Sequence, residues 1–306
     1  MRIIKKKKIE KSQRVYNLHV QNNNNYIASG IVVSNCHTAK SKSLQTISKQ
    51  CNNAKWRLGF SGTYPQPYTV DWLSIVGSLG PIKQYTTYDS LNKAGQVSNL
   101  KINNLFLKWN REICKNNILQ NYKEYSNENK YIEGLRDRIK FIVKLADRIN
   151  GNTIVLFTRI KYGKKLYEIT KQFSDKKCYY ISGETKTDYR ELIRSRMEKR
   201  NDVVLFASYG TFAAGVNIRN VHNLIMASNY KSLIKVVQAI GRAIRILDNK
   251  DVATIYNLID DLTFEMKNGE IYKNYSVKHH IKRLKIYKDE GFKNVKNVWI
   301  KFDKLF

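Results

Sequence analysis

Proline, cysteine and acidic side chains are scarce in this chain of 306 residues: three Pro, four Cys, and 25 Asp plus Glu against 55 Lys plus Arg. So few prolines, with no Gly/Ser tract, leave no obvious flexible linker between domains. Cys36, Cys51, Cys114 and Cys178 form no CxxC pair, so neither a zinc site nor a disulfide framework is indicated, and a reducing, intracellular setting is expected. The shortage of acids leaves a formal net charge of +30 and a pI of about 9.9. Such an excess points to a polyanionic partner, nucleic acid first, against the plainer reading of a Lys-rich solvated surface. No run approaches the ~18 apolar residues of a membrane span, and no signal-peptide core is present, so no membrane partner is expected. No internal repeat and no G-x-x-x-x-G-K-(S/T) phosphate loop occur. What remains is 42% hydrophobic, globular in composition and long enough for about two cored domains.

Residues 1–35 read as short strands. Arg2-Ile3-Ile4 opens one, and Lys5 to Lys8 is a phosphate patch, a localisation signal or a solvated charge run. Within Arg14 to Val20, Tyr16, Leu18 and Val20 share one strand face, with Val15, Asn17 and His19 on the other. Asn22 to Asn25 turn the chain. Tyr26-Ile27-Ala28 resumes a strand, Ser29-Gly30 turns it, and Ile31-Val32-Val33 leads to Ser34-Asn35-Cys36-His37. Strands this short cannot bury a core alone, so the segment needs a partner.

Val15 to Ala28 and Ser29 to Cys36 resemble, in order and spacing, the two final blocks of split inteins. That resemblance implies a short all-β, Hint-type fragment ending at Asn35. By the same resemblance, the Asn35 side-chain amide closes onto its own carbonyl and breaks the Asn35–Cys36 bond. Cys36, as thiolate, attacks a thioester on the partner fragment. Ser34 holds the penultimate position, where many inteins have His. Asn17 and Asn24 stand where the blocks usually carry Asp and His. His19 is then the nearby candidate for proton transfer, against the plainer reading of a structural strand histidine. The basic strip of Arg2, Lys5 to Lys8, Lys11 and Arg14 suits capture of an acidic partner fragment.

Downstream, Cys51 to Phe60 reads as a helix end entering a strand, followed by Ser61-Gly62-Thr63. Ile75 to Gly80 and Gln96 to Trp109 read as the closing strands of a first domain and the crossing to a second. Ile113 to Ile149, with Ile132, Leu135, Ile139, Ile142 and Leu145 in register, reads as one amphipathic helix. Five apolar runs then alternate with helical stretches: residues 153–157, 178–181, 203–207, 224–227 and 253–258. That alternation indicates an α/β domain with a parallel sheet covered on both faces. Thr158-Arg159, Ser182-Gly183-Glu184 and Ser208 to Thr211 fall at strand carboxyl ends, where ligand loops gather. Gln238, Arg242 and Arg245 share one helix face at i, i+4 and i+7, suited to the oxygens of a triphosphate. Residues 276–306 are basic and aromatic. They form either a helix laid on DNA or a helix packed back on the second domain, and the apolar Leu284, Ile286 and Trp299 favour packing.

Cys36-His37, Ser61-Gly62-Thr63, Ser208 to Ile218 and the Q-x-x-G-R-x-x-R run resemble, in order, the motifs of superfamily 2 phage recombination helicases. The resemblance implies four segments: 1–35 splicing fragment, 36–110 end of a first RecA-like domain, 111–275 second RecA-like domain, 276–306 basic extension. It implies that His37 ends a D-E-x-H box whose Asp-Glu comes from a separately encoded N-terminal half. Ser61, Gly62, Thr63, Gly215 and Asn217 would couple nucleotide state to domain motion. Gln238, Arg242 and Arg245 would face ATP, and Thr158, Arg159, Ser208 and Thr211 would touch DNA phosphates. ATP and Mg²⁺ would be held mainly by the other half, with no metal ligand in this one. The expected activity is ATP-dependent remodelling of branched DNA in recombination and at forks, phage-encoded and in the host cytoplasm. A nucleic-acid-gripping RecA-like module without ATPase activity, its splicing segment decayed, is the alternative that Asn17 and Asn24 favour.

Overall fold

A computed structural model describes residues 25–28, 31–35, 45–46, 50, 56–61, 65, 67–83, 86–110, 124–215, 218–230, 233–243, 245 and 252–302. The chain divides into two compact units, 1–83 and 84–306.

In the first unit, β1 (Asn25–Ala28), β2 (Ile31–Asn35) and β3 (Trp56–Phe60) form a sheet in that order. β1 and β2 are an antiparallel hairpin, Asn25 opposite Ser34 and Ala28 opposite Ile31. β2 and β3 are parallel, Ser34 opposite Gly59 and Asn35 opposite Phe60. The strand expected at Ile75 to Gly80 is instead the end of a helix, α1 (Val70–Leu79). The Thr69 hydroxyl accepts from the Trp72 N–H at 3.3 Å and caps its first turn. Trp72, Ile75, Val76 and Leu79 recur at three- and four-residue intervals, the period of a helix rather than a strand.

The second unit is built on seven parallel strands in the order β12-β4-β9-β8-β5-β7-β6. These are β4 (Asn99–Lys108), β5 (Thr153–Phe157), β6 (Lys177–Ile181), β7 (Val203–Ser208), β8 (Asn223–Met226), β9 (Val252–Asp261) and β12 (Val295–Lys301). All five expected strands are present. β10 (Phe264–Glu265) and β11 (Ile271–Tyr272) make a separate small hairpin. One face of the sheet packs α4 (Arg136–Arg148) and α5 (Ile160–Phe173) over Val155, Phe157, Val204 and Phe206. The helix α5 approaches closely because residue 163 is glycine: a Cβ there would meet the Phe157 ring at 2.5 Å. Against the other face lie α2 (Tyr88–Lys93), α6 (Thr187–Glu198), α7 (Tyr209–Gly215), α8 (Leu233–Ala243) and α9 (Tyr275–Asp289).

Three expectations need correction here. Residues 96–109 do not close the first unit. β4 pairs with β9 along its whole length, Asn99 opposite Val252 through Lys108 opposite Asp261, and its apolar residues fill both cores of the second unit. The long helix breaks at Leu135, whose extended backbone (φ −64°, ψ 120°) separates α3 (Tyr125–Gly134) from α4. Finally, α9 packs back as expected, but with a polar face. Ser276, His279, His280, Arg283 and Tyr287 are buried, while Leu284 and Trp299 remain 39% and 57% exposed. The chain after α9 returns as edge strand β12, and Trp299 stacks on Phe106 at 5.6 Å.

Candidate functional site

Parallel strands end together, so the loops after β5, β7 and β8 converge at one edge of the second sheet. Thr158 and Arg159 follow β5, Ser208 ends β7, Thr211 lies in α7, and Ser228 follows β8. The organising group is Glu133 at the end of α3, which is buried. Its Oε1 accepts from Ser228 Oγ at 2.7 Å, and its Oε2 from Arg159 Nε at 2.5 Å. Thr158 Oγ1 lies 3.5 Å from Oε1, and its backbone N–H donates to Ser228 Oγ at 3.1 Å. Arg159 Nη2 also donates to Asn129 O at 3.0 Å. Ser208 Oγ and Thr211 Oγ1 share a hydrogen bond of 2.8 Å. The four residues expected to touch DNA therefore do gather at one edge. Glu133 and Ser228 are additions that motif reading missed, and Glu133 matches the charge Arg159 brings.

The helix α8 buries Val236, Ala239 and Ile240 and leaves Arg242 and, just beyond its end, Arg245 half-buried. Ser98 Oγ donates to Arg245 O at 3.2 Å, pinning this end of the helix to the residue before β4. Burial first, and then the facing Arg245, hold the Arg242 guanidinium below its ordinary pKa. Burial, and then Arg219, do the same to Arg245. Like charges crowded in this way are relieved by a polyanion, so the donor set fits a triphosphate. Arg219 is a further cation of this cluster. Its position just after the Gly215-x-Asn217 stretch was the only sequence clue. Among the described residues no cluster of His, Cys, Asp and Glu could hold a metal ion.

Several buried polar groups serve the fold instead. Asp260, at the end of β9, accepts from Arg138 Nε at 2.8 and 3.0 Å, and Arg138 Nη1 donates to Tyr162 OH at 2.5 Å. Burial pushes the Arg138 pKa down, but the facing Asp260 outweighs it and the net shift is upward. Glu128 of α3 accepts from Asn274 Nδ2 at 2.9 Å and from the Tyr275 and Ser276 N–H groups at 3.0 and 3.1 Å, so it caps α9.

Ser61 is half-buried at the end of β3, and Gly215 closes α7. His19, Cys36, His37, Gly62, Thr63 and Asn217 lie outside the described residues, as do the side chains of Ser34, Asn35 and Gln238. No described helix is long and apolar enough to cross a membrane.

Residues 137–247 match the model of the helicase conserved C-terminal domain. The chain is 34% identical over 268 residues to the ATP-dependent DNA helicase uvsW of Enterobacteria phage T4, covering 85% of this chain and 52% of that protein. It therefore spans about half the length of the curated relative it matches. The crystal structure of T4 UvsW superposes with a TM-score of 0.56 at 32% identity, covering 87% of this chain and 52% of that one. The DNA-bound type ISP restriction-modification enzyme LlaBIII, at 14% identity, 88% and 21% coverage and a TM-score of 0.57, shares the fold. Residues 137–247 are thus a helicase C-terminal domain, and the chain carries the C-terminal part of a superfamily 2 helicase.

Proposed function

We propose that this chain is the C-terminal half of an ATP-dependent DNA helicase acting on branched recombination and fork intermediates, joined to its other half by protein trans-splicing. The helicase reading rests on the 34% identity over 268 residues to T4 uvsW. The splicing reading rests on the two blocks that end at Asn35, with Cys36-His37 directly after them.

In this reading residues 1–35 are cut away. Asn35 cyclises and releases them, Ser34 and His19 serve proton transfer, and Cys36 accepts the partner's acyl group before becoming the third residue of an Asp-Glu-Cys-His box. Nucleotide and Mg²⁺, held mainly by the N-terminal half, supply the driving reaction. This chain contributes His37 to the box, and Gln238, Arg242 and Arg245 to the charge that develops on the transferred phosphoryl group. Ser61, Gly62 and Thr63, with Gly215 and Asn217, couple that event to domain movement. Thr158, Arg159, Ser208 and Thr211 contact DNA phosphates and so position the strand without reading its sequence. Support comes from the convergence of the last four residues at one sheet edge and from the crowding of the two arginines.

The decisive experiment mixes this chain with a half that carries a phosphate loop and ends in Asp-Glu followed by an intein start. Mass spectrometry should find a joined product in which this chain begins at Cys36. Asn35→Ala should block release of residues 1–35, and undiminished release from that variant would refute the role given to Asn35.

A further inference from the structure

Arg283 lies on the buried face of α9 and is only 2% exposed. Its Nε and Nη2 find no hydrogen-bond partner, and no described carboxylate forms an ion pair with it. A guanidinium in that condition is strongly disfavoured unless an anion completes it. One turn earlier on the same face, His279 Nδ1 lies 3.3 Å from Asn229 Oδ1. Asn229 Nδ2 is likewise buried without a partner.

Asn229 directly follows Ser228, so these unmet groups adjoin the carboxyl-edge cluster. Tyr125 OH donates to Asn229 O at 2.8 Å, and Tyr209 OH to Ser228 O at 3.3 Å. Tyr209 stacks on Tyr230 at 4.5 Å. Arg283 follows His279 by one turn on the same buried face of α9, and His279 meets Asn229, so Arg283 lies beside this same group of loops. The unmet valences of Arg283 and Asn229 are all donors, and what completes them is a charged acceptor. Arg159, by contrast, already has Glu133. Among the described residues, Arg283 is a buried cation at this edge with no carboxylate paired to it.

We propose that Arg283 and Asn229 form an anion site beneath the Ser228–Tyr230 loop that takes a backbone phosphate of the bound DNA strand. This rests on the DNA-helicase reading above. A phosphate offers the paired oxygens that a guanidinium fork matches. Tyr230, half-buried and stacked on Tyr209, lies in the loop directly after Asn229.

The test is a salt series of single-stranded oligonucleotide binding by the full chain and by Arg283→Met. Loss of one phosphate contact should lower the slope of log K against log salt by about 0.7 and weaken binding equally across sequences. Asn229→Asp is a second variant that supplies the missing negative charge from within. It should lower the slope by a similar amount while raising the melting temperature. Unchanged slopes in both folded variants would overturn the site. Stabilisation by inorganic phosphate that Arg283→Met abolishes, with the DNA slope unchanged, would make it a free-anion site and overturn the assignment to DNA. A parent chain that binds no DNA would overturn the helicase reading and this proposal together, whereas normal parent binding with unaltered variants sinks this proposal alone.

Discussion

Arg138→Met should be among the most destabilising single changes in the second unit, although it touches neither arginine cluster nor the carboxyl-edge hydroxyls. Arg138 and Asp260 are 1% and 0% exposed and join α4 to β9. Removing the guanidinium leaves a carboxylate buried with only a 3.4 Å approach from Trp109 Nε1, and strips Tyr162 OH of its partner. Breaking a buried pair from one side costs about 3–5 kcal/mol. Exposed surface pairs in general are worth far less, about 0–1 kcal/mol. For a domain of this size each kcal/mol moves the melting temperature by about 2–4 °C, so a fall of about 6–20 °C is expected. Thermal unfolding followed by circular dichroism, on Arg138→Met, Asp260→Leu and the double variant, measures it. The double variant should regain most of the loss, because an apolar pair of similar volume replaces a buried ion pair at little cost. A single variant within about 1 kcal/mol of the parent would show that the pair is solvated. A double variant as unstable as the singles would show that shape, not charge, holds α4 to β9.

Two further outcomes follow from the site and its surroundings. In the joined enzyme, Arg242→Ala or Arg245→Ala should abolish ATP hydrolysis and spare most DNA binding, read by phosphate release and oligonucleotide affinity. Equal loss of both would contradict their placement at the nucleotide. His280 is held neutral by burial and by Arg283, its pKa lowered to about 4 from 6.5. The unfolded chain takes up this proton first, so the stability linked to His280 is full above about pH 6.5 and lost as pH falls to about 4. The total is about 3 kcal/mol. Chemical denaturation at stepped pH should show that slope in the parent, and His280→Phe should flatten it.

The second sheet was legible in the sequence because its central strands are covered on both faces and read as unbroken apolar runs. β5 and β7 are the plainest cases. The misreadings share a cause. β4 carries Asn103 and Asn104 in mid-strand, so nothing in its own sequence ties it to β9, whose apolar run is interrupted by Asn257. The structure joins Asn257 to Asn104 at 2.9 Å and Asn104 to Asn297 at 3.0 Å, a ladder that satisfies buried amides across three strands. No local pattern announces a pairing between residues so far apart. The polar face of α9 hid for the same reason, since His280 and Ser276 look like a solvent face until their partners Asn257 and Asp260 are known. Some signals were readable. Glu128 stands four residues before Ile132, and Arg138 four before Ile142, so both fall on the apolar stripe of their helices. A charge on such a stripe marks a buried partner. At the carboxyl edge, the motif residues named the place, but Glu133 belongs to no motif.

The two edges of the second sheet are tied in different ways, and the difference bears on how the two arginine clusters act. At the amino edge, Asn152 Nδ2 donates to Met197 O at 2.8 Å and to Asn220 O at 2.9 Å, while its Oδ1 accepts from the Val203 N–H at 3.1 Å. Asn220 Nδ2 repeats the bond to Met197 O at 2.9 Å. Backbone groups at the end of α6, the start of β7 and the loop before β8 are locked together in a buried site, where each lost bond leaves an unmet group. At the carboxyl edge, Ser228, Thr158 and Arg159 all meet the carboxylate of Glu133, and Tyr125 and Tyr209 hold the backbone of the Ser228–Asn229 loop. The helix α8 follows the carboxyl end of β8 and returns to the amino edge, where Ser98 pins Arg245 O. The arginines proposed for the nucleotide thus stand toward the edge locked by buried amides, and the groups proposed for DNA stand at the edge built on hydroxyls and a carboxylate, with α8 running between them.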